Sequence, residues 1–197
     1  MTETTSDAQR RLLDAARNSF AARGFHGTTT RDIAAAAGMS PAAVYVHYRT
    51  KESLLYAISL AGHESTLRAL REAQRSADDP AGRLAATVRR LVLGHVTGHT
   101  MARVVNYELA ALSPEHRVVI DELRYDIQQV IRGALADGTD SGEFDCVDIG
   151  MTTNAIMGMC IDVARWYDER DAWLPERIAD HSARMALRMA GHRGRKC

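Results

Sequence analysis

Apolar residues recur along this chain at three- and four-residue intervals almost from end to end, and alternation with polar residues never persists long enough for a strand. Ser6 followed by Gln9 is a capping-box pattern that opens a first helix, with Leu12, Leu13, Ala16 and Phe20 on one side and Gly24 as a left-handed stop. A short second helix is capped within Thr28-Thr29-Thr30, packs through Ile33, Ala34 and Ala37, and ends at Gly38. Ser40 caps a third, with Pro41 at its first position, where a missing N–H costs nothing. Thr50 caps a longer fourth helix through Leu54, Leu55, Ile58, Leu67 and Leu70 to about Arg75.

The break at Ser76-Ala77-Asp78-Asp79-Pro80 starts a fifth helix reaching about Thr97, and Gly94 and Gly98 predict a kink or break near 94–100. A short helix then runs to Leu112, and Ser113-Pro114-Glu115 starts another reaching about Ala136. Asp137-Gly138-Thr139-Asp140-Ser141-Gly142 reads as a loop, followed by helices from about Asp145 to Tyr167 and from about Pro175 to Ala190, then a basic tail from His192 to Lys196. The sum is an all-α fold of about nine helices. It divides into an N-terminal three-helix domain over residues 1–52 and a larger helical domain over 53–197.

Composition narrows the class. With 46% hydrophobic and 25% charged residues and 4 prolines in 197, the chain is globular. The 3 cysteines, Cys146, Cys160 and Cys197, are odd in number and lack CxxC spacing, so they read as reduced thiols, two of them buried and one on the tail. No apolar run reaches the roughly 18 residues that a membrane span needs, and the polar start carries no signal-peptide pattern. The expectation is a cytoplasmic protein. The formal net charge is +0, so no overall field announces a polyanion partner. Over residues 1–60, Arg10, Arg11, Arg17, Arg23, Arg31, Arg49 and Lys51 only slightly outnumber Glu3, Asp7, Asp14, Asp32 and Glu52.

The stretch from Thr28 to Leu55 is more informative than the charge. Two short helices joined by a tight turn containing Gly38, with alanines at 34–37 to let them cross closely, are what a helix-turn-helix requires. Its second helix is then free to project into a major groove about 12 Å wide. Thr29-Thr30, Ile33-Ala34, Ala37-Gly38-Met39-Ser40, Tyr45, His47-Tyr48 and Lys51-Glu52 followed by Leu54-Leu55 resemble the N-terminal signature of the TetR family of transcriptional regulators. The upstream Ala15-Ala16, Phe20 and Arg23-Gly24-Phe25 are similar to its first helix. Met39 and Tyr48 stand where Val and Phe are commoner, and both keep the apolar or aromatic body.

The resemblance implies a repressor that holds double-stranded operator DNA and is released by a small ligand, here one that is lipid-derived or resembles an acyl-CoA. Thr29, Thr30, Tyr45, His47 and Lys51 would hold phosphates, and Ser40, Pro41, Ala42 and Ala43 would face base edges with Arg31 beside them. Three of those four base-facing residues lack a side-chain hydrogen bond, which shifts specificity toward thymine methyls, backbone groups and DNA shape.

The larger domain resembles the family's effector-binding and dimerising part in length and helix order. A homodimer would form through its last two helices, using Val147, Met151, Ala155, Met159, Cys160, Val163, Ile178, Met185 and Met189, unless those residues face only their own core. Met101, Val105, Asn106, Tyr107, Leu109, Tyr125, Gln128, Asn154, Met157 and Trp166 would make an adaptable pocket, although each also suits plain core packing. Of these, Trp166 is the foremost candidate, as a buried indole N–H needs a partner. Arg103, Arg165 and Arg170 either meet an anionic head group or form surface ion pairs. His95 and His99 stand four apart, a spacing that can hold a metal, but no HExxH pattern or third ligand accompanies them. No metal, no cofactor and no catalytic set is therefore expected. A helical metal hydrolase and an effector-free DNA-binding protein are the competing readings.

Overall fold

Several helix ends follow from a local capping choice, as at Thr29, Ser40, Asp79 and Asp148. The computed structural model describes residues 2–170 and 173–192, and the tail with Cys197 lies outside them. Among the described residues there are nine α-helices and no strand. They are α1 (Thr2–Arg23), α2 (Thr30–Ala36), α3 (Pro41–His47), α4 (Lys51–Gln74), α5 (Pro80–Thr97), α6 (His99–Tyr107), α7 (Pro114–Asp140), α8 (Ile149–Trp166) and α9 (Pro175–Met189), with one 3-10 turn at Leu109–Ala111. The helix begins at Thr2, upstream of Ser6, so the expected start at the Ser6 capping box is corrected.

Gly24 and Gly38 both take positive φ, 69° and 66°, and stop α1 and α2 as left-handed residues do. Thr29 and Asp32 form a reciprocal capping box at α2, and Ser40 caps α3 by accepting the Ala43 N–H at 3.2 Å. The expected break between α5 and α6 falls at Gly98, which separates His95 from His99 onto different helices.

Three further boundaries differ from the sequence reading, the first being the short helix after Gly98, which ends at Tyr107 and gives way to the 3-10 turn before Leu112. The α7 helix runs on through Asp137 to Asp140, because Gly138 is a packing slot for the Phe144 ring and Gly142, at φ 75°, is the residue that turns the chain. The α8 helix starts at Ile149, four residues after the expected Asp145, with Asp148 as its N-cap accepting the Met151 N–H at 2.8 Å.

The chain forms two compact units. One comprises the described residues up to His63 together with Thr100–Asp121; the other comprises Glu64–His99 together with the described residues from Glu122. In the first, Leu12, Ala16, Phe20, Ile33, Ala34, Val44, Leu54 and Leu55 are all essentially inaccessible. Here α2 packs on α1 and α3. In the second, α5 packs on α8 and α9 around Leu84, Val88, Val92, Ile156, Cys160 and Ala186. No helix of the described residues is long and apolar enough to cross a membrane.

Candidate nucleic-acid interface

Helix α3 owes its orientation to one buried residue. Val44 is fully buried, so the positions two residues to either side, about 200° around the helix, point away from the core. Ser40, Pro41 and Ala42 are exposed and Ala43 half-buried, as the sequence reading expects of base-facing residues. Tyr45 is 54% exposed, while His47 is half-buried and Tyr48 closes the helix. Burial raises the pKa of the Tyr48 hydroxyl above the ordinary tyrosine value.

Several cations of this unit are already engaged, Arg11 among them, which donates to the Ala37 carbonyl. Arg10, Arg17 and Arg23 reach Asp7, Asp14 and Asp32. Arg31 and Arg49 are exposed and form no ion pair among the described residues, which leaves both for an anionic partner. Arg49 stands in the turn after α3 and is absent from the residues singled out by sequence; its place directly after the Tyr45-to-Tyr48 signature was the available signal.

Two expected phosphate ligands have other engagements. The Thr29 hydroxyl lies 2.7 Å from Asp32 Oδ2, and the Thr29 N–H donates to the same oxygen at 2.8 Å. The Lys51 ammonium turns inward, donating to the Phe25 carbonyl at 2.6 Å and the Thr28 carbonyl at 2.7 Å, with Nζ 4.1 Å from the centre of the Phe25 ring. Lys51 thereby fixes the α1–α2 turn, where Thr28 is buried with its hydroxyl against the carbonyls of Ser19 and Gly24. Thr30 is half-buried.

The turn is also held from the segment around α6. Glu108 Oε1 accepts the Phe25 N–H at 3.0 Å, and Glu52 Oε1, near the start of α4, accepts the Ser113 N–H at 3.1 Å and lies 2.7 Å from His116 Nδ1. The His116 ring stacks on Tyr56 at 3.7 Å. Sequence reasoning missed this set, because its members lie 61 to 83 residues apart.

The expected effector residues fall in both units. In the first, Val105 is buried, Met101 is half-buried, and the Asn106 amide donates to the Ala102 carbonyl at 2.9 Å. In the second, Gln128 donates to Asn154 Oδ1 at 2.6 Å and Met157 is half-buried against the core. Tyr125 is 60% and Trp166 47% exposed, so the expected burial of Trp166 is corrected: its ring meets Trp173 edge-on at 6.4 Å. An open cleft of about 960 Å³ in the second unit, near Asp79, Glu143, Phe144 and His192, includes none of the ten candidate pocket residues. Arg165 and Arg170 pair with Asp162 and Asp168.

The expected dimer residues also separate. Cys160, Val163 and Ile178 belong to the unit's own core, whereas Val147, Met151, Ala155 and Met189 are exposed. Burial pushes the Cys160 thiol up to about 12. Cys146, expected to be buried, is only partly so, its Sγ 3.3 Å from the Thr152 hydroxyl.

Comparisons with known proteins agree with this layout. Residues 12–58 match the model for bacterial regulatory proteins of the tetR family, and residues 77–190 match a tetracyclin repressor-like C-terminal domain. A bacterial regulatory protein in the tetR family from Rhodococcus RHA1 has a crystal structure that superposes with a TM-score of 0.90 at 43% identity, over 94% of this chain and 98% of that one. AibR, solved in complex with isovaleryl coenzyme A and operator DNA, gives a TM-score of 0.84 at 26% identity over 94% and 99%. The HTH-type transcriptional repressor KstR2 of Rhodococcus jostii is 28% identical over 169 residues, 84% of this chain and 83% of that protein.

Proposed function

Because the chain belongs to the TetR family of transcriptional regulators, we propose that residues 1–52 act as its operator-binding head and 53–197 as its effector-binding and dimerising part. The observation that carries this reading is the outward face of α3, with Ser40, Pro41, Ala42 and Tyr45 exposed, together with two exposed cations of the same unit, Arg31 and Arg49, that form no ion pair among the described residues. Ser40, Pro41, Ala42 and Ala43 face base edges. Thr30, Tyr45, His47 and Arg49 hold phosphates and so set affinity more than sequence preference. Thr29 and Lys51 act by fixing the turn that presents these residues to the DNA.

The protein works as a cytoplasmic homodimer, a regulator and not an enzyme. Two heads enter successive major grooves, one DNA turn (about 34–36 Å) or somewhat more apart. The outward face of α8 supports the pairing, with Met151, Ala155 and Gly158 exposed on successive turns.

The effector is an acyl-CoA or another lipid-derived molecule, in keeping with the isovaleryl coenzyme A held by AibR. Met101, Val105, Asn106, Tyr125, Gln128, Asn154, Met157 and Trp166 remain its candidate contacts. Helix α4, about 36 Å long, passes from one unit into the other and is the plausible lever. Fluorescence anisotropy tests both halves of the reading, with a duplex enriched from a random pool by the purified chain. Arg49→Ala and Tyr45→Ala should each weaken binding. One member of an acyl-CoA series beginning with isovaleryl coenzyme A should weaken it about 5- to 150-fold, the usual range of allosteric coupling. Unchanged affinity in the two variants would overturn the DNA assignment, and indifference to the whole series would overturn the effector class.

A further inference from the structure

Val46 is 79% exposed, more than any other large apolar side chain in the DNA-binding head. A β-branched aliphatic residue so placed has no packing role in its own unit. Its position is fixed by Val44, which is fully buried two residues earlier, so Val46 and Ala42 point directly away from the core, one helical turn apart. The crest of α3 therefore consists of the Ala42 methyl and the Val46 isopropyl group. Tyr45 flanks this crest at 54% exposure, and Arg49, exposed and without an ion pair among the described residues, stands in the turn three residues after Val46.

The surroundings identify the occupant. An exposed cation in the turn after an apolar crest fits a polyanion with an apolar feature set into its groove. In the major groove that feature is the C5 methyl of thymine, the one projecting apolar group on a base edge; the remaining edges offer hydrogen-bond donors and acceptors or only a flat C–H. Covering a donor or acceptor with an isopropyl group would strip its water and return no partner, which is unfavourable. Covering a methyl is favourable by about the burial of one CH₂ group.

We propose that Val46 reads thymine in each operator half-site by packing its isopropyl group on the C5 methyl, with Ala42 completing the contact. The proposal rests on α3 being the helix that enters the groove, and it adds a specificity residue to that reading. Discrimination at this base pair comes from apolar contact, so it is independent of salt, unlike the contribution of Arg49.

The test uses the full chain and the duplex it enriches from a random pool. Each thymine of the half-site is replaced in turn by deoxyuridine, which removes the methyl and preserves base pairing and charge. Affinities are measured by anisotropy for the wild type and for Val46→Ala, with circular dichroism to check that the variant is folded. One replacement should weaken the wild type about fourfold per methyl, while Val46→Ala binds the thymine duplex more weakly and loses nothing further with deoxyuridine. Equal sensitivity of both proteins to every replacement, or none in the wild type, overturns the proposal. Tyr45→Ala separates the two levels of inference: if it abolishes binding while methyl removal has no effect, α3 is still the reader and only the role of Val46 fails. If Tyr45→Ala and Val46→Ala both bind as the wild type does, the assignment of α3 itself fails.

Discussion

Asp32 accepts two hydrogen bonds from Thr29, one from the hydroxyl and one from the backbone N–H, and Arg23 lies 3.8 Å away. The Thr29 hydroxyl does most to hold the carboxyl below its ordinary value of 3.8, followed by the backbone N–H and, less strongly, the Arg23 charge. A carboxyl whose folded pKa is lowered adds stability above its unfolded pKa and loses it as pH falls through the folded value. Replacing Asp32 with Asn should therefore lower stability at neutral pH, and the gap to wild type should close as pH drops below the ordinary value of 3.8. Urea unfolding across that range measures it, and a gap independent of pH would refute the assignment. Lys51 permits a sharper test. Its ammonium serves two carbonyls of the α1–α2 turn, so Lys51→Met should cost about 1–3 kcal/mol, as removal of a charged donor from part-buried acceptors does. Affinity for every duplex should fall with the loosened turn, while the slope of log K against log salt stays near wild type. A slope reduced by about one would instead make Lys51 a direct phosphate contact.

At the level of elements, Gly138 shows how a helix outruns its composition. A Cβ there would sit 2.2 Å from the nearest atom of the Phe144 ring, and Phe144 is almost fully buried. Gly138→Ala, favourable for helix propensity in isolation, should here destabilise by about 1–3 kcal/mol, the range for overpacking; thermal and urea unfolding would show it, and an unchanged or raised midpoint would contradict it. The same glycine marks what was legible in the sequence. Gly24, Gly38, Ser40 and the cap within Thr28-Thr29-Thr30 are signals complete within four residues, and the helix-turn-helix could be read from them, whereas the reciprocal Thr29–Asp32 box emerged only in the structure. Gly138 followed by Asp140 looks the same locally, but its role depends on a ring six residues on. The inward Lys51 ammonium and the Glu108 contact were illegible for a similar reason, since their partners are 23 to 83 residues away. Helical spacing also says which residues share a face without saying which face is covered. On α8 Cys160 and Val163 turn to the core and Met151 and Trp166 turn out, although all four read alike as apolar.

For the whole molecule, the pairing proposed through the outward face of α8 would bring two heads to one operator. Gly158 is exposed, and a Cβ built there meets nothing within 4 Å, so a large residue at this position fits the single chain without strain. The same residue would lie between Met151 and Trp166 on the face proposed to meet a second copy. Gly158→Arg should therefore leave helix content unchanged while sedimentation equilibrium shifts from two chains to one. The consequence for DNA follows from linkage. A dimer holding both half-sites gains from the high effective concentration of its second head, an advantage of about 10²- to 10⁴-fold. The variant should lose that factor on a full operator and keep the wild-type head's affinity for an isolated half-site. A variant that stays dimeric would show that pairing uses another surface. One that is monomeric yet binds the full operator undiminished would show that the heads never acted in concert.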